Sequence, residues 1–75
     1  MNNEELKMVI GNNVKKYRIL KNLTQEELAS LVGCTTPLIG ALESPNMSQG
    51  ISTFTLYKLS KVLGVPADKF FEEKQ

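Results

Sequence analysis

The chain has 75 residues and a mass of 8.4 kDa; 41% of its residues are hydrophobic, 23% are charged and the formal net charge is +1. A protein this small buries only about 60% of the surface that its unfolded chain exposes, so one core and one domain covering residues 1–75 are expected. The composition is that of a folded domain rather than a disordered segment. Without a basic-then-apolar N-terminal pattern or a long apolar run, neither a secretory signal nor a membrane span is expected.

From Leu6 to Leu20, apolar side chains recur at Leu6, Val9, Ile10, Val14, Tyr17 and Leu20. These three- and four-residue spacings predict a first amphipathic helix. Asn22 suits a left-handed residue at its end, and Thr24 with Glu27 forms the capping-box pattern of a new helix start. A second helix is thus expected over Gln25–Val32, burying Leu28, Leu31 and Val32, with Gly33 ending it. Pro37 is tolerated in a first helical turn, which places a third helix from Thr36 to Ser44. Pro45, Asn46, Ser48, Gln49 and Gly50 mark a loop between Ser44 and Ser52. A fourth helix begins near Ser52 or Thr53, places Leu56, Leu59, Val62 and Leu63 on one face, and closes at Gly64. After Pro66, a short last helix over Ala67–Glu73 is expected to be anchored by Phe70 and Phe71. The expected fold class is therefore all-α, with five short helices and no strands.

Charge is unevenly spread. Lys15, Lys16, Arg18 and Lys21 lie in the first third and Lys58, Lys61 and Lys69 in the last, whereas Asn22 to Tyr57 contains no Lys or Arg. Cys34 is the sole cysteine and there is no histidine, so no internal disulfide and no zinc or other cofactor is expected, and a reducing cytoplasm is the natural compartment. An enzyme is not expected, because the chain lacks a phosphate-binding glycine motif and the volume for a closed pocket. Cys34 itself reads as a buried, inert thiol, with a redox switch as the alternative.

Two short helices joined by a tight glycine turn, here Gln25–Val32 and Thr36–Ser44, form a unit of about residues 25–44 whose second helix can enter the major groove of DNA. Ala29 allows the helices to approach, Gly33 takes the turn, and Ile39 and Leu42 fasten the second helix to the core. The residues Ile10-Gly11, Val14-Lys15, Tyr17-Arg18, Leu23 through Ala29, Gly33, Ile39, Leu42-Glu43 and Leu59 through Val65 resemble the phage repressor and Cro family of XRE-type helix-turn-helix regulators. The resemblance runs from Ile10 to Phe71. It implies a five-helix bundle that binds double-stranded operator DNA as a homodimer, often repressing transcription. It also implies a phosphate contact by Gln25 and a structural ion pair between Arg18 and Glu43.

The positions that read bases in that family are occupied here by Thr35, Thr36, Pro37, Gly40 and Ala41. None carries a group able to make the bidentate contacts of Arg, Lys, Asn or Gln, so direct readout is expected to be sparse and biased to A·T pairs through threonine, proline and alanine contacts with thymine methyls. Asn46 and Ser48 in the loop are candidate uncharged phosphate ligands. The cation-free middle of the chain implies few neutralised phosphates and a weak dependence of affinity on salt. The alternative is a repressor-like interaction module that binds a protein partner and has lost groove recognition; the neutral third helix favours it. Phe54 falls on the solvent side of the fourth helix and, with Tyr57, is a candidate dimer contact.

Overall fold

The computed structural model describes residues 2–44 and 51–73. Four α-helices, α1 (Asn3–Leu20), α2 (Gln25–Val32), α3 (Thr36–Glu43) and α4 (Thr53–Leu63), are followed by a 3-10 helix, Ala67–Phe71. The all-α expectation holds among the described residues, but the fifth element is a tighter 3-10 turn that stops two residues before Glu73. None of the helices is long and apolar enough to cross a membrane.

Local sequence accounts for most boundaries. α1 begins three residues before Leu6, because Asn2 supplies a capping box. Its side chain accepts from the Glu5 N–H at 2.8 Å, and its own N–H donates to the Glu5 carboxylate at 3.2 Å. At the other end Asn22 takes φ +58°, and the Leu23 N–H returns to the Arg18 carbonyl at 3.1 Å, which closes the helix as the asparagine suggests. Thr24 and Glu27 form the expected box at the start of α2, with bonds of 3.0 and 2.8 Å. Gly33 ends that helix at φ +82°, a conformation that strains any side chain.

The core is made of Ile10, Val14, Leu28, Ala29, Val32, Ile39, Leu42, Leu59, Leu63 and Phe70. Three apolar residues assigned inward by periodicity face solvent instead: Leu20 is 67% exposed, Leu31 60% and Phe71 42%. In each case the helix is too short, or ends too soon, for its flank to be covered by a neighbour. Cys34 is only half-buried; burial still raises its thiol pKa above the ordinary value, with a smaller opposing pull from Lys58.

Two features without a periodic signature lock the ends together. Asn13 is buried on α1, and its Nδ2 donates to the carbonyls of Phe70 and Glu72, both at 2.8 Å, so the C-terminal turn is held through polar bonds as well as through Phe70. Phe70 also meets Tyr17 edge to face, with ring centroids 6.1 Å apart. Gly11 is buried where α1 crosses α3, and a Cβ there would overlap the Leu42 carbonyl. Gly11→Ala therefore has to push α3 away from α1. We expect a net loss of about 1–3 kcal/mol despite the better helix propensity of alanine, read as a melting temperature lowered by at least ~4 °C.

Candidate nucleic-acid interface

α2 and α3 are joined by Gly33, Cys34 and Thr35, and the Gly33 and Cys34 N–H groups both return to the Ala29 carbonyl at 2.9 Å. Ala29 is 2% exposed, so the small side chain sits where the two helices approach. α3 is seated on the core by Ile39 and Leu42, both essentially inaccessible. Its opposite side is open: Thr35, Pro37 and Ala41 are exposed, and Thr36 and Gly40 are half-buried at one edge.

The first turn of α3 carries no acidic residue, and its N-cap is Thr35, whose Oγ1 accepts from the Leu38 N–H at 3.3 Å. The Thr35 oxygen accepts one bond from the helix start, which leaves its hydroxyl proton and a second lone pair to offer a partner. Thr36, Pro37, Gly40 and Ala41 form a neutral, low-relief surface. Asn46 and Ser48, the two loop candidates, lie outside the described residues.

The far end of α3 is fixed by charge. Arg18 grips the Glu43 carboxylate with two parallel bonds, Nε to Oε2 at 2.7 Å and Nη2 to Oε1 at 2.9 Å, and its Nη1 donates to the Leu23 carbonyl at 2.8 Å. Both side chains are largely withdrawn from solvent, at 12% and 3% exposure. The bond to Glu43 raises the Arg18 pKa further above its already high ordinary value, against the opposing effect of burial. Gln25 joins this pair: its Nε2 donates to Glu43 Oε1 at 3.1 Å. One carboxylate thus ties together the last turn of α1, the first residue of α2 and the last residue of α3. The family resemblance implied the Arg18–Glu43 pair but not the place of Gln25 in it; an amide with no charged partner four residues along its own helix gives no local signal.

A family model described as helix-turn-helix matches residues 14–70. Among curated proteins, the control protein C.SmaI of Serratia marcescens is 32% identical over 65 residues, covering 87% of this chain and 75% of the relative. Among solved structures, the restriction-modification controller protein C.AhdI of Aeromonas hydrophila superposes with a TM-score of 0.78 at 26% identity, over 87% of this chain and 96% of that one. The biofilm master regulator SinR of Bacillus subtilis, solved in complex with DNA, gives 0.77 at 30% identity, over 84% and 98%.

The energetic role of the clamp is separable from any ligand. Glu43→Ala leaves the Arg18 guanidinium without its partner in a poorly solvated position, and a loss of about 3–5 kcal/mol in chemical denaturation is expected. The double replacement Arg18→Met with Glu43→Leu removes both charges together and is expected to recover most of that loss.

Proposed function

Because the chain belongs to the repressor/Cro-like helix-turn-helix family, we propose that it is a DNA-binding transcriptional regulator that reads the major groove with α3. The observation that carries this reading is the open face of α3, presented from a helix pair whose opposite side is sealed into the core and clamped by Arg18 and Glu43. Gln25, Thr35, Thr36, Pro37, Gly40 and Ala41 make the proposed contact surface, with Asn46 and Ser48 as further candidates from the sequence. Action in the cytoplasm belongs to the same proposal, and repression by occupancy of an operator is the simplest regulatory consequence.

An α3 without cations relies on shape, methyl contacts and single hydrogen bonds rather than on ion pairs with phosphate. Selection of duplexes from a random DNA library is expected to yield an A·T-leaning palindromic motif. Titration of that motif should give a slope of log affinity against log salt shallower than about −5, the value for six neutralised phosphates. Thr36→Ala should relax preference at one position of each half-site. A library that yields no motif would sink the reading in favour of a protein partner.

The regulator is proposed to act as a homodimer, since a palindromic site has half-sites one helical turn apart. Support comes from α4, where Phe54 is 80% and Tyr57 61% exposed, beside an apolar groove of about 290 Å³ between the first turns of α1, the start of α4 and Phe71. In sedimentation equilibrium, Phe54→Ser should shift the protein toward monomer while its far-UV circular dichroism stays that of the folded wild type. A wild-type chain that stays monomeric at high concentration and on its selected duplex contradicts the dimer.

A further inference from the structure

The groove beside α4 has a matching ridge on the same helix. Leu6 and Ile10 of α1, with Ile51, Leu56 and Phe71, wall the groove, and Phe71 stays exposed there although its neighbour Phe70 is fully buried. Going round α4 from the core residues Leu59 and Leu63, a helix of 3.6 residues per turn presents Leu56 and Thr53 at the groove, then Tyr57, then Lys61 and Phe54, and last Lys58. Tyr57 and Phe54, three residues apart, make one exposed aromatic ridge. Ridge and groove thus lie side by side on one face.

A two-fold interface needs a surface of this kind. An axis through the boundary between ridge and groove lays the ridge of one copy in the groove of the other, and the second ridge in the first groove by the same operation. The charges suit that arrangement. Lys58 and Lys61 flank the ridge, both exposed. At the rim of the groove Glu4 pairs with the lining residue Lys7 at 3.6 Å, and it is the glutamate that faces solvent, at 74% side-chain exposure against 23% for the lysine. Ridge in groove therefore brings lysines toward a carboxylate, whereas ridge on ridge would crowd the lysines of both copies together and leave the groove walls uncovered. The exposed parts of Phe54 and Tyr57 amount to roughly 300 Å² per copy. With the groove walls they would cover, two copies bury on the order of 1,200 Å², the lower bound of a specific interface. Such an area suits a dimer that is weak in free solution and tightened when two half-sites hold the copies together.

We propose that ridge and groove form a reciprocal docking surface for a second copy of this chain, in which Phe54 and Tyr57 of each copy enter the groove of the other and Lys58 faces Glu4 of the partner subunit. This docking rests on the homodimer proposed above and adds which surfaces meet.

The test places the photoreactive residue p-benzoylphenylalanine at position 54 of the full chain. Heavy-nitrogen-labelled and unlabelled preparations are mixed and irradiated, and the linked peptides are read by mass spectrometry. Mixed-isotope links from position 54 to residues 6–10 or to Phe71 are expected. Links to residues 54–58 of the second copy overturn the docking and leave the homodimer standing, as does a protein that sediments as a dimer and gives no mixed-isotope link. A chain that stays monomeric alone and on its selected duplex, with position 54 linking to a different protein in irradiated cells, overturns both. Where the bulkier ring itself prevents association, a charge exchange on the native ridge decides. Glu4→Lys and Lys58→Glu should each raise the dimer dissociation constant about fivefold at low salt, and the double variant should regain most of that loss. A double variant no tighter than either single one overturns the docking.

Discussion

The Glu43 carboxylate is the point on which the molecule turns. It sits at the last residue of an eight-residue helix, 3% exposed, and receives three hydrogen bonds from residues 25 and 18 positions away in the sequence. A helix of two turns has too few internal hydrogen bonds to be stable by itself in water, so α3 exists because it is held at its sides and at its end. Ile39 and Leu42 hold it by apolar burial, and Gly11 lets α1 approach its backbone at Leu42. Those contacts are insensitive to rotation about the helix axis by a few degrees. The forked Arg18–Glu43 pair is not, because two parallel bonds to a planar carboxylate tolerate little rotation. A buried ion pair adds little net stability relative to an apolar pair of the same shape. What it adds here is a defined orientation of the surface on the other side of α3.

That surface is unusual in its lack of charge. Proteins of this architecture that recognise DNA mainly through cations gain affinity from released counterions and then lose it in salt. With no Lys or Arg between Asn22 and Tyr57, the central half of this chain has no such source. Among the cations on either side of it, Lys15 and Lys16 on α1 and Lys58 and Lys61 on α4 are exposed. Recognition by a neutral face places more weight on geometry, since each hydrogen bond or methyl contact has to be formed at van der Waals distance. A small, rigid contact surface and an orienting clamp are therefore consistent with each other. The homodimer proposed from the exposed Phe54 and Tyr57 on α4 would fit the same logic, because joining two copies in one particle gains affinity without any added charge.

Much of the fold was legible in the sequence because its signals are local. Thr24 with Glu27, Gly33, Pro37, Asn22 and Gly64 act within one turn of the backbone they control, and the structure places each where those chemistries require. The Asn2–Glu5 capping box was equally local but lay outside the apolar repeat used to set the start of α1. Periodicity misassigned Leu20, Leu31 and Phe71 because it shows only that a residue lies on the apolar side of a helix, not whether a neighbour reaches that far. The 3-10 form of the last element has the same origin. Asn13, from 57 residues away, takes the Phe70 carbonyl and so helps set the turn that Ala67–Phe71 adopts.

For the candidate site, the sequence by itself determined the inventory: a helix pair with a glycine turn and a neutral α3, with the pairing of Arg18 and Glu43 implied by the family resemblance. The tertiary structure decided how those parts face one another. That Gln25 belongs to the ion pair, and that Gly11 rather than a larger residue has to stand under Leu42, follow from three helices meeting at one place. No local pattern encodes them, because hydrogen-bond direction and backbone approach depend on distances between segments that the chain brings together only when it folds.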